Sequence, residues 1–111
     1  MKEIKWNTKA RNFVRLLEVQ TKREIGTLLM MLQAGQKLSA PQAKPMKIIH
    51  QNAYELRVKD RNGNYRIIYI LNIGDKILIP HAFYKKSQKT QKRDIELSIK
   101  RLKELMNEEV I

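Results

Sequence analysis

No cysteine occurs in the sequence, which excludes a disulfide framework, a thiolate metal site and a cysteine nucleophile. Glycine and proline are scarce, four and three among 111 residues, and no low-complexity tract interrupts the chain. Aromatic residues contribute only 6%, so a core drawn from the 42% hydrophobic residues is mostly aliphatic. No apolar run approaches the ~20 residues of a membrane span, and Met1 to Arg11 carries no signal-peptide apolar core. The two histidines, His50 and His81, lack metal-ligand spacing. No carboxylate pair, glycine-rich phosphate loop or serine nucleophile motif stands out. These absences predict one domain spanning residues 1–111, soluble and cytoplasmic, with no metal, no cofactor and no membrane contact.

Positive charge, by contrast, is abundant. Lys and Arg number 23 against 11 Asp and Glu, a net charge of +12. Self-repulsion of this size destabilises a compact state unless an acidic partner offsets it, and nucleic acid is the leading candidate. Half of the excess lies between Lys85 and Lys103. There eight cations (Lys85, Lys86, Lys89, Lys92, Arg93, Lys100, Arg101 and Lys103) face only Asp94 and Glu96.

Apolar periodicity divides the chain into a helical first third, an extended middle and a closing helix. Phe13, Val14, Leu16 and Leu17 follow Asn7 or Thr8, either of which suits an N-cap. Ile25, Leu28, Leu29 and Leu32 follow Thr21 at helical spacing and end at Ala34-Gly35, with Gly35 as the natural C′ residue. Met30 and Met31 are expected in the core. Together these segments predict a helical hairpin. Gln36 to Pro45 reads as a loop and Met46 to Ile49 as a candidate short strand. Tyr54 to Lys59 alternates apolar with charged residues, Asn62-Gly63 signals a hairpin turn, and Tyr65 to Leu71 returns. Lys76 to Phe83 makes a third strand, whose Pro80 implies an edge or a bulge. The last helix is expected from Thr90, with Ile95, Leu102, Leu105 and Met106 in its apolar stripe. The predicted class is α+β: a helical hairpin, a three- to four-stranded antiparallel sheet with one face open, and a C-terminal helix.

Glu55, Arg57 and Lys59 share the face opposite Tyr54, Leu56 and Val58, and Arg66 is expected beside them on the solvent side. Such a face, flanked by Tyr84, Lys85 and Lys86, suits an RNA backbone and an unstacked base. An ordinary solvated face is the alternative. Lys85, Lys86 and Lys89 ahead of the last helix, and Lys92 and Arg93 in its first turn, weigh against that alternative. Cations there oppose the helix dipole, and a phosphate would relieve them. An enzyme with these groups would cleave RNA through the substrate's own 2′-hydroxyl, with a lysine whose pKa neighbouring cations depress, so that it can serve as the base. His81 reads either as structural or as a proton-transfer group.

Tyr54-Glu55-Leu56-Arg57, Tyr65-Arg66-Ile67-Ile68-Tyr69 and the run from His81 to Thr90 resemble the RelE superfamily of bacterial toxins, in its HigB-like, phage-derived branch. Gln91 departs from the pattern, since many relatives have proline there. The resemblance implies a RelE-like fold and a toxin of a type II toxin–antitoxin pair. Its activity would be that of a metal-independent, ribosome-dependent endoribonuclease, an mRNA interferase. Its partners would be the ribosome, mRNA and a cognate antitoxin, typically a helix-turn-helix DNA-binding protein. The positions that match the family are Arg57, Arg66, Lys85, Lys86 and Lys89. With the residue-level reading, the expected catalytic set is Arg57, Arg66, His81, Lys85 and Lys86. The expected RNA contacts are Lys59, Arg61, Tyr65, Tyr84, Lys89, Lys92 and Arg93. A ParE-like toxin acting on gyrase without cleavage, and a phage-derived nucleic-acid-binding module, are the alternatives.

Overall fold

A computed structural model describes residues 1–110 of the chain. In order, the elements are β1 (Glu3–Trp6), α1 (Thr8–Arg15), α2 (Val19–Gln33), β2 (Ala43–Pro45), β3 (Ala53–Asp60), β4 (Gly63–Ile73), β5 (Lys76–Tyr84) and α3 (Lys92–Val110). The strands form one sheet ordered β1-β5-β4-β3-β2. The α+β class agrees with expectation, and so does the helix–helix–sheet–helix order once β1, which precedes the helices, is set aside. The sheet is larger than expected and mixed, because β1 adds in parallel to the outer side of β5. A strand of four residues paired with one so distant in sequence leaves little local signal. Among the described residues no helix is long and apolar enough to cross a membrane.

The helix ends follow their local chemistry. Asn7 caps α1 by accepting the Ala10 N–H at 3.1 Å. α2 closes where Gly35, at φ +88°, donates to the Leu32 carbonyl while Gln36 donates to that of Met31, a Schellman ending. α2 starts at Val19, ahead of Thr21, whose hydroxyl instead donates to Asp60 Oδ2 at 2.6 Å. At the β3–β4 hairpin the two linking residues are Arg61 and Asn62, so Gly63 closes the turn instead of sitting at its centre. Its φ of +150° favours glycine, and the Tyr84 side chain occupies the space where a Cβ would project.

Other expectations shift. Met46 to Ile49 is a turn, and the short strand is β2, inside the segment that reads as a loop. Met31 packs on the core, but Met30 is 60% exposed. Pro80 sits at a register shift between the Ile68–His81 and Ile70–Leu78 pairs, so the bulge reading of β5 holds. The largest correction concerns the open face. α1 and α2 pack on Leu56, Val58, Ile67, Tyr69, Ile77 and Ile79. The opposite face is covered as well, by Leu102 and Leu105 of α3 against Ala53, Ile68, Ile70 and Leu78. Burying both faces of an aliphatic sheet removes more apolar area from water than one face can, at roughly 25 cal/mol per Å².

Candidate functional site

α3 covers only part of that second face. Register pairs Arg57 with Arg66 and Arg66 with Phe83, one step beyond the row of Glu55, Ile68 and His81. On β3 the strand period places Glu55, Arg57 and Lys59 on this face, as expected. Glu55 is 2% exposed. Its Oε1 lies 3.5 Å from Arg57 Nε and 3.3 Å from Arg66 Nε, and its Oε2 accepts the Thr90 hydroxyl. Neither Nε–H points at the carboxylate well enough to form a hydrogen bond, so the attraction is Coulombic.

Arg66 was expected in solvent and is only 7% exposed. Phe83 lies beside it in register on β5, and its Nη1 donates to the Tyr65 carbonyl at 3.1 Å. Burial pulls its guanidinium below the ordinary arginine range; Glu55 opposes this and Arg57 adds to it. Arg57 is the more open of the two, with 31% of its side chain exposed.

Lys85 follows β5, and its N–H donates to the Asn64 carbonyl at 2.8 Å, which continues the ladder past Tyr84. Partial burial first, then Arg66 and Arg57, push its ammonium below the ordinary lysine range, with Lys44 adding and Glu55 opposing. A depressed lysine in the cluster was expected from neighbouring cations alone; desolvation is the larger cause. A cleft of about 430 Å³ is lined by Asn64, Arg66, Lys85, Lys86, Ser87 and Gln88. A second, of about 420 Å³, shares Asn64 and Arg66 and adds Arg57, Lys59, Gln42 and Glu24. A third, of about 280 Å³, carries Lys86, Arg93 and Tyr84 to the edge of α3 with His81 at its floor.

The remaining expected residues are dispersed. Lys89 and Lys92 are exposed ahead of and within the first turn of α3, where Lys92 lies 3.8 Å from Glu96. The helix itself starts at Lys92 rather than at Thr90, which is drawn away to Glu55. Arg61 is 3.1 Å from Glu18 on the far side of the hairpin. Tyr65 is buried on the α1 side, edge-on to Phe13 and Tyr84, with its hydroxyl donating to Asp60. Strand alternation puts it opposite Arg66. His81 is 5% exposed and stacked on Phe83. Arg101 donates to its Nδ1 at 2.9 Å, so the proton sits on Nε2 and is donated to Asp94 at 2.8 Å. Burial holds the imidazole below its ordinary value; Asp94 opposes this and Arg101 reinforces it. Both ring nitrogens are therefore engaged beneath α3.

Sequence reasoning placed Glu55 on this face without a role, and passed over Thr90 as a partner, Asn64 and Gln42. The available signal was a single acid set between cations on an alternating strand.

The sequence model for "Phage derived protein Gp49-like (DUF891)" matches residues 12–103. None of the curated proteins matches the chain. Among solved structures, the chain is similar to the isolated Escherichia coli RelE toxin, with a TM-score of 0.55 at 13% identity over 79% of this chain and 89% of that one. It is also similar to a doubly substituted E. coli RelE in the free state, with a TM-score of 0.60 at 14% identity over 91% and 97%. A chain of the intact E. coli RelBE toxin–antitoxin complex matches with a TM-score of 0.57 at 12% identity over 78% and 100%. These likenesses establish the RelE fold.

Proposed function

The chain belongs to the phage-derived Gp49-like family, and from that membership and its RelE fold we propose that it is the toxin of a toxin–antitoxin pair that cuts messenger RNA on the ribosome. The observation that carries this reading is the convergence of Arg57, Arg66 and Lys85 on the part of the sheet that α3 leaves uncovered. Lys59 and Lys86 extend the positive track to either side. RNA supplies its own nucleophile, so the protein needs a proton acceptor, cations for the crowded phosphate and a proton donor.

Lys85, with its depressed ammonium pKa, takes the proton of the 2′-hydroxyl. The 2′-oxygen bonds to phosphorus, the bond to the 5′-oxygen breaks, and Lys86 protonates that leaving oxygen. The products are a 2′,3′-cyclic phosphate and a 5′-hydroxyl end. Arg57 and Arg66 bear the charge that develops on the phosphoryl oxygens. Tyr84 and Arg93 line the neighbouring cleft and contact flanking nucleotides. His81 supports this site from below by holding Asp94 and Arg101 of α3, and transfers no proton itself. The partner is a co-encoded antitoxin, as in the RelBE complex.

Induced expression followed by mapping of mRNA 5′ ends tests the reading. Cuts within translated codons that leave 5′-hydroxyl ends are expected. Growth arrest with intact mRNA and loss of DNA supercoiling would overturn it in favour of gyrase poisoning.

A further inference from the structure

A buried acid, Glu55, sits between the arginines of the cationic cluster. A carboxylate as deeply buried as that of Glu55 needs strong compensation. Its polar neighbours are two arginines of the candidate site, Arg57 at 3.5 Å and Arg66 at 3.3 Å, and the Thr90 hydroxyl, with Lys44 in register beside it on β2. Arg57 and Arg66 are direct cross-strand partners on one face, a placement that is unfavourable for like charges. Glu55 approaches the Nε side of both guanidinia, and both guanidinia line the cleft. Its other oxygen reaches Thr90, the residue between the lysine-bearing loop and α3.

We infer that Glu55 is a positioning residue that holds Arg57 and Arg66 side by side for one RNA phosphodiester and, through Thr90, fixes the Lys85–Lys89 segment against the same cleft. Glu55 does not touch the RNA. It acts through the arginines, and this role rests on the reading of the cleft as an RNA site. A single anion between two guanidinia offsets their repulsion in the free protein, and the phosphate adds a second when it arrives.

The test compares Glu55→Gln with the unaltered protein in three measurements: ribosome-dependent cleavage, binding of a labelled oligoribonucleotide, and the NMR signals of the arginine Nε–H groups. Removing a negative charge from a cationic protein favours RNA binding, so affinity should hold or rise. Cleavage should nevertheless fall by about tenfold or more, because the phosphate contacts are no longer aligned. The Arg57 and Arg66 Nε–H signals should lose their distinct shifts. A folded Glu55→Gln protein that cleaves within about twofold of the unaltered one overturns the proposal, since each tenfold is only about 1.4 kcal/mol. So does a variant in which affinity and melting temperature fall together, the mark of a merely structural role.

If Glu55→Gln does not fold, Thr90→Val and Thr90→Ser decide. Ser keeps the donor and should retain cleavage, whereas Val should lose it about fivefold or more, and equal rates overturn the proposal. If the unaltered protein cuts no mRNA, the nuclease reading fails separately. Titration with inorganic phosphate then decides the role of Glu55. A response of the Arg57 and Arg66 signals that changes in Glu55→Gln supports it, and an unchanged response overturns it.

Discussion

The same strands build two different surfaces. Toward α1 and α2 they present Leu56, Val58, Ile67, Tyr69, Ile77 and Ile79, a sealed aliphatic layer with one tyrosine. Toward α3 they present Ala53, Ile70 and Leu78 at one end, a middle row of Glu55, Ile68 and His81, and Arg57 and Arg66 at the other end. A helix that covers half a sheet leaves the other half at the margin of the core, where charges are desolvated but still reachable. The depressed pKa values of Arg66 and Lys85 register that margin. The layer on the first face holds the strands rigid, and the second face uses that rigidity to hold cations in register.

The sharpest way to break this comparison is to damage each face in turn. Leu56→Ala should cost about 2–5 kcal/mol of stability, through lost burial and the cavity left behind. Cleavage per folded molecule should be unchanged, as measured by denaturant unfolding and activity on matched samples. Arg66→Ala should lower cleavage by about 10²–10³-fold, the usual loss of one charge-stabilising group. It should also weaken the fold by about 1–3 kcal/mol, because Glu55 is left with one cation fewer in a buried setting. Arg57→Ala should reduce cleavage similarly while costing less stability, since Arg57 is more exposed. An Arg66→Ala protein as stable as the parent would mean that the Arg66–Glu55 contact contributes nothing to the fold.

Much of this architecture is legible from short-range pattern, and the misses share a cause. The α1 cap, the Gly35 ending, the alternation on β3 and the stripe of α3 are local, and local chemistry decides them. β1 depends on pairing with a strand at the other end of the chain, and the covering of the second face depends on where α3 lands. Neither leaves a periodic mark. Arg57, Arg66 and Lys85 could be placed together because strand period and an Asn-Gly turn set their faces. Tyr65 does not join them, since alternation puts it on the face opposite Arg66. The burial of Arg66, the engagement of His81 and the reach of Thr90 to Glu55 are consequences of packing, so residue identity alone could not reveal them.

A smaller effect concerns His81, at the boundary between the two halves of the second face. Its folded pKa lies below the ordinary imidazole value of about 6.5. The unfolded chain therefore takes up the proton first as pH falls. Stability from keeping His81 neutral is fully present above about pH 6.5 and is lost progressively below it, toward the folded pKa. Thermal unfolding followed between about pH 7.5 and 5 should show that decline, and His81→Gln should flatten it. If cleavage by His81→Gln fell by orders of magnitude with melting unchanged, His81 would join the proton-transfer groups and the boundary would belong to the site.

The smallest expected effect falls at the first turn of α3, where the covered and uncovered halves of the face meet. Lys92 opposes the helix dipole there, at a cost of roughly 0.3–1 kcal/mol for a cation in a first turn. Its pairing with Glu96 at 3.8 Å, one turn on, offsets part of that. Exposed pairs of this spacing contribute about 0.3–0.5 kcal/mol. With its side chain 89% exposed, the two effects nearly cancel. Lys92→Gln should therefore shift the melting temperature by no more than about 2 °C. Binding is the informative measurement. If Lys92 meets a phosphate, the slope of log affinity against log salt should lose about 0.7, the single-strand value for one contact. If the RNA track ends at Lys86 and Arg93, that slope should stay unchanged within error. The first result extends the cationic half of the face onto α3. The second confines it to the sheet and the loop that Thr90 ties down.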